Sequence, residues 1–182
     1  NLCQKILAQN PQDFTSLEMS CQINQKFTDK ILSQNLQSLQ KLVQVNISQN
    51  YPYLVLASQV YLQYNNSTLA IKCCHHCLQI NYQYHPAYFQ LANIYQFIND
   101  FSSAQHNYLL AIKHATHQKS YSLNKYQEAL GKFYFLNNKI TLAKKYLTLS
   151  KSTYISKLLT WEKMISNINS FPVSKLTSTQ KD

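Results

Sequence analysis

Glycine occurs once and proline four times in 182 residues. Sandwiches and barrels place those residues at their many turns, so their scarcity argues for helices joined by short connections. Arginine is absent, and all 17 basic residues are lysine. Guanidinium is the usual tool for bidentate contacts to guanine and phosphate, so sequence-specific nucleic-acid reading is disfavoured. Only seven residues are acidic, which leaves paired-carboxylate catalysis poorly supplied. No apolar run approaches the roughly 18 residues of a membrane span, and no N-terminal stretch resembles a secretory signal. Walker-type glycine loops, GxSxG and HExxH are all missing. These absences predict no catalytic residue, no metal and no cofactor in this chain.

What is present is a repeat. Hydrophobic residues make up 45% of the chain, too many for disorder. Pro52, Leu54, Ala57, Tyr61, Ala70, Cys74, Cys77 and Leu78 recur 34 positions later as Pro86, Tyr88, Leu91, Tyr95, Ala104, Tyr108, Ala111 and Ile112. A fixed period of this length predicts a stack of small units and moves the functional question to a binding surface. Tyr88, Leu91, Ala92 and Tyr95 share one helical face, and Phe101, Ala104, Tyr108 and Ala111 share another. Asn99-Asp100 can cap and turn the chain between them. Alanines at 92, 104 and 111 let two helices approach closely.

In these positions the segment 85–118 resembles the tetratricopeptide repeat (TPR) family. Segment 51–84 aligns to it without a gap, with Asn65-Asn66-Ser67 at the turn. Leu130, Gly131, Tyr134, Ile140, Ala143 and Leu147 repeat the pattern at a spacing of 39. That spacing implies a five-residue insertion around Lys119 to Leu123, lengthening a helix or its connecting turn. The only glycine, Gly131, falls where the family often has one, at a close helix contact. The resemblance implies an all-α fold, a right-handed superhelical solenoid of antiparallel helix pairs. Its predicted organisation is half a repeat at 1–13, a degenerate repeat at 14–50, and repeats at 51–84, 85–118 and 119–155. A capping or next-repeat helix follows at 156–169, and a tail at 170–182. Starting at Asn1 within half a repeat, the chain reads as a piece of a longer protein.

Cys73-Cys74-His75-His76-Cys77 looks like a zinc string, but four converging ligands are needed and no second cluster exists. The repeat register assigns Cys74 and Cys77 to packing. Five cysteines without framework spacing suggest a reducing compartment, hence the cytoplasm. His114 and His117 fall near a helix end, where positive groups suit the dipole. The Asn46 and Asn65 sequons equally suit helix and turn roles. Net charge is +10, and residues 113–182 hold twelve lysines against Glu128, Glu162 and Asp182. That excess is either a solvated surface or an attractor for an acidic partner or anionic membrane surface.

In the TPR family the first helix of each unit lines a concave groove that grips a peptide or partner helix. The resemblance therefore implies a groove presenting Gln59 and Gln63, then Phe89, Asn93 and Gln96, then Glu128, Lys132 and Phe135. The spaced Lys, Asn and Arg of carboxylate-clamp members are missing, with Val55, Gln59, Phe89 and Asn93 in those places. The leading expectation is a non-catalytic protein–protein interaction scaffold. The alternative is the substrate-recruiting TPR array of a larger enzyme, such as a glycosyltransferase whose catalytic domain lies outside this chain. An open half-repeat at the N-terminus makes self-association a further expectation.

Overall fold

In a computed structural model, residue 37, residues 50–156, and residues 159, 160 and 163 are described. The expectations for 1–13 and 170–182 lie outside these residues, as do those for 14–50 apart from residues 37 and 50, and most of the predicted helix 156–169. The chain divides into two compact units, Asn1–Ser120 and Tyr121–Asp182. Among the described residues every regular element is helical.

The first unit contains α1 (Pro52–Gln63), α2 (Ser67–Ile80), α3 (His85–Phe97) and α4 (Phe101–His117). Pro52 and Pro86 stand in the first turns of α1 and α3, where a missing N–H costs nothing. The second helix of each pair starts on a side-chain cap. Asn66 Oδ1 accepts from the Leu69 N–H, and Asp100 Oδ1 accepts from the Ser103 N–H, each at 3.0 Å. Both tight turns pass through a left-handed asparagine, Asn65 at φ 57° and Asn99 at φ 63°. Asparagine tolerates that conformation better than most side chains. The next N–H then reaches back five residues, Asn66 to Tyr61 and Asp100 to Tyr95, at 2.9 Å in both. This closure satisfies carbonyls that the helix end leaves open.

The helices pair as the pattern predicts, α1 on α2 and α3 on α4, with α3 also packing on α1 and α2. Ala70, Ala92, Ala104 and Ala111 are fully buried at these contacts, with Cys74, Leu91 and Ile94 beside them. One departure concerns α1. The repeat pattern predicts one buried face of Leu54, Ala57, Ser58 and Tyr61. The structure buries every residue from Tyr53 to Ser58, with Val60. Helices α2 and α3 both lie against α1, and Cys77 and Ala87 join its core cluster. A helix covered on more than one side carries apolar residues around its circumference.

The second unit contains α5 (Leu123–Leu136), α6 (Ile140–Leu149) and a further helical turn from Tyr154. Asn138, at φ 57°, repeats the left-handed turn, and the Lys139 N–H closes onto the Tyr134 carbonyl at 2.9 Å. Gly131 is buried on α5. A Cβ there would lie 2.7 Å from Leu147 Cγ and 2.9 Å from its Cδ2. The five-residue insertion falls at the boundary between the units. Helix α4 runs three residues past the end that α2 sets for the pattern, to His117, and the remainder enters the connection and the start of α5.

Candidate functional site

Three of the residues implied for the groove are brought together on α3. Phe89, Asn93 and Gln96 follow one another at helical spacings of four and three, so they share a face. All three converge on Tyr108 of α4. The Phe89 ring meets the Tyr108 ring edge-on, 5.8 Å between centroids. The Tyr108 hydroxyl lies 2.8 Å from Asn93 Oδ1 and 2.8 Å from Gln96 Oε1. A hydroxyl carries one proton, so it donates to one amide and accepts from the other, whose NH₂ must turn toward it. Tyr108 is 2% exposed, and burial pushes its pKa up to about 12. It is a fixed neutral post that holds two amides in register. Each amide has four hydrogen-bonding sites and spends one here, which leaves both with capacity for a ligand.

The repeat pattern assigns Tyr108 to packing alone. Its hydroxyl gives the signal for the second role, because a buried phenol needs a polar partner and the amides of α3 are within reach.

The other implied residues are placed as follows. Gln59 is half-buried on α1 and Gln63 is exposed at its end. Val55 is buried at 6% exposure. In the second unit, Phe135 is half-buried on α5. Lys132 is engaged within that unit, with Nζ 2.6 Å from Glu128 Oε1 and 4.1 Å from the centre of the Tyr154 ring. The Glu128 carboxyl is held below its ordinary range, mainly by its hydrogen bond from Lys132. Both side chains are still more than a third exposed, so solvent screens the pair and it stabilises α5 little.

The connection between α2 and α3 is fastened on two sides. Asn81 Nδ2 donates to the Tyr51 hydroxyl at 2.9 Å, and Tyr51 meets Tyr84 edge-on at 5.1 Å. On the other side, Gln118 Nε2 donates to the Gln83 carbonyl at 2.8 Å. The His114 ring stacks on Tyr88, 5.1 Å between centroids and 4° from parallel. Burial lowers the pKa of His85 below its ordinary 6.5, and His114 lowers it further. Burial also lowers that of His114, with help from Lys113 and His117. A depressed histidine pKa means the unfolded chain binds protons first as pH falls. Stability of the first unit should therefore decline from about pH 6.5 downward until the folded histidines also titrate. The urea midpoint should be lower at pH 5.5 than at pH 7.5. A combined His85→Phe and His114→Phe variant should flatten that slope. A midpoint equal at both pH values in the original chain would contradict it.

The cysteine–histidine string is divided between core and solvent. Cys74 and Cys77 are fully buried, while His75 and His76 are exposed. Burial pushes the thiol of Cys73 up to about 11 and those of Cys74 and Cys77 to about 12. Nucleophilic attack needs the thiolate, which such values disfavour. Among the described residues no three His, Cys, Asp or Glu are grouped to hold a metal ion, and no helix is long and apolar enough to cross a membrane.

No protein-family model matches the chain, and no curated protein matches it by sequence. Solved structures do. The chain superposes on TTC0263, a thermophilic TPR protein in Thermus thermophilus, with a TM-score of 0.63 at 16% identity. That match covers 82% of this chain and 78% of the other. MamA gives a TM-score of 0.54 at 16% identity, covering 91% and 87% of the two chains. The Cut9–Hcn1 hetero-tetramer of APC/C gives 0.59 at 19% identity, covering 81% of this chain and 27% of the other. At such identities the likeness establishes the fold, a TPR-type helical solenoid.

Proposed function

On a TPR-type solenoid whose α3 presents an aromatic ring beside two preset amides, we propose that the chain is a non-catalytic scaffold. It binds an extended peptide segment or a partner helix on the face carrying Gln59, Phe89, Asn93 and Gln96. The observation that carries this reading is the Tyr108 hydroxyl between Asn93 and Gln96. It orders two long-reaching amides before any ligand arrives, which reduces the entropy lost on binding. Amides hydrogen-bond a peptide backbone without demanding a sequence, and Phe89 adds an apolar anchor. In the second unit, Lys132 and Phe135 are the corresponding candidates on α5. The free, buried thiols of Cys74 and Cys77 support work in a reducing compartment such as the cytoplasm.

The test is selection of a displayed peptide library on the chain, followed by titration of the enriched peptides. A Gln59→Ala, Phe89→Ala double variant should weaken them about tenfold or more, as loss of an aromatic anchor does. Circular dichroism should show its helix content unchanged. Raising salt from about 0.1 M to about 0.5 M should change that affinity little, because the contacts are uncharged. Peptides that ignore the double variant and are lost with salt would move binding to the lysines of the second unit.

A further inference from the structure

Helix α6 of the second unit turns apolar residues both inward and outward. Ala143 and Leu147 are its buried residues, and the helix packs on α5. Leu142, Lys145 and Leu149 follow one another at spacings of three and four, so they share a second face. All three are exposed, Leu142 at 38% and Leu149 at 51%. The solvent face of a helix ordinarily carries polar and charged residues. Here two leucines stand on either side of a cation.

Positive charge surrounds that face. Between Glu128 and Glu162 the chain holds six lysines and no acidic residue. Lys139 and Lys151 flank the two ends of α6, and both are exposed. Among the described residues of this unit Glu128 is the sole acid, and it is bonded to Lys132.

Three kinds of partner attract such a surface: nucleic acid, an acidic protein and an anionic membrane. The leucines count against nucleic acid. Single strands are gripped by aromatic rings that stack on bases, and duplexes are read chiefly by arginine, which this chain lacks. Area counts against a folded protein. The outer face of this ten-residue helix measures about 15 Å by about 10 Å. That is far below the roughly 800 Å² each partner gives to a stable complex. A bilayer sets no such minimum, because it takes up apolar side chains singly and offers phosphate to every lysine. Lysine suits it, since the stem lies with the leucines while the ammonium reaches the headgroups.

We propose that the outer face of α6 is a membrane-contact site. It lays Leu142 and Leu149 into the interface of an anionic bilayer while Lys139, Lys145 and Lys151 meet the headgroups. The site goes beyond the peptide-binding face described above, and its test does not depend on that face.

The probe is a vesicle of phosphatidylcholine with about 30% phosphatidylserine as the anionic lipid. Co-sedimentation with the full chain measures binding, which should be absent with phosphatidylcholine alone. A Lys139→Gln, Lys145→Gln, Lys151→Gln variant should bind about a hundredfold more weakly, because each lysine at such a surface contributes about fivefold. A Lys72→Gln, Lys113→Gln, Lys119→Gln variant has the same net charge but keeps the α6 face, and should lose less than about threefold. A Leu142→Gln, Leu149→Gln variant keeps every charge and should bind about tenfold more weakly, the loss of two apolar contacts. All these positions are exposed, and circular dichroism should show each variant as helical as the original. No binding to the anionic vesicles, equal losses in the two lysine variants, or full binding by the leucine variant would each overturn the proposal. Preference for polyuridylate or polyglutamate over vesicles, at equal concentration of negative charge, would also overturn it and give the lysines to nucleic acid or an acidic protein. The Gln59→Ala, Phe89→Ala variant should bind vesicles as the original does, which separates failure here from failure of the peptide-binding face.

Discussion

Gly131→Ala is expected to destabilise the second unit by about 1–2 kcal/mol, although alanine is the better helix former by about 1 kcal/mol. Position 131 lies inside α5, so propensity alone predicts a gain. Packing reverses the sign. The added methyl would sit 2.7 Å from Leu147 Cγ and 3.1 Å from the Leu147 backbone nitrogen. A flexible side-chain tip can move away cheaply, but a branched γ-carbon next to the helix backbone cannot. Leu147 is 1% exposed, so it has no empty space to enter. Either α5 and α6 separate slightly or Leu147 leaves its rotamer, and both lose dispersion contacts across the pair.

The double variant makes the claim sharp. With Leu147→Ala as background, the branched carbons are gone and Gly131→Ala should become stabilising by up to about 1 kcal/mol. The same substitution thus changes sign with its neighbour, a coupling well above the usual error of additivity. Urea unfolding of the four chains, followed by circular dichroism at 222 nm, measures it. A stabilising Gly131→Ala in the original chain would show that the pair can spread without loss.

The repeat pattern made much of this readable. Ser58, Ala92 and Gly131 occupy one repeat position, and Cys74, Tyr108 and Leu147 occupy another. The small residues at the first predict a close helix contact, and all three are buried. The turn asparagines were equally legible, because few other residues accept a left-handed backbone while the next residue caps a helix. The extra burial of α1 was not legible. Periodicity reports one apolar face per helix and is silent where a second neighbour covers the opposite side.

Among the binding residues, the positions on α3 follow from the register. Their attachment to Tyr108 does not, because hydrogen bonding between helices depends on side-chain reach and not on spacing. Lys132 shows the same limit. Its place in the repeat is readable, but its ion pair and its seat over Tyr154 need three dimensions. Scattered histidines likewise carry no sequence signal. Only the packing of α3 on both α2 and α4 brings His75 and His106 to one cleft.

Leu91→Ala should remove about 2–5 kcal/mol from the first unit, toward the upper end of that range. The preceding repeat makes this a demanding claim, because the equivalent residue there is Ala57. Alanine at this position is therefore compatible with the fold, and sequence comparison within the chain would pass the substitution as harmless. The surroundings differ. Ala57 is packed among Tyr53, Leu54, Leu56 and Val60, large residues that fill the space it leaves. Leu91 is packed with Ala70, Cys74 and Ile94, of which the first two are small, and the half-buried Tyr61, Leu62, Ile71, Leu78 and Tyr95 surround that cluster. Removing three carbons from Leu91 leaves a hole that Ala70 and Cys74 cannot reach across. Backbone collapse is resisted by neighbours on two sides, since α3 packs on both α2 and α4. The converse change, Ala57→Leu, should overpack its cluster and cost about 1–3 kcal/mol. Phe97→Ala on the same helix, at 54% exposure, should stay within about 0.5 kcal/mol of the original and serves as the control. Denaturant midpoints compare the three variants directly. A Leu91→Ala loss no larger than that of Phe97→Ala would mean the repeats can exchange core residues freely, and that their stability resides in the turns and caps.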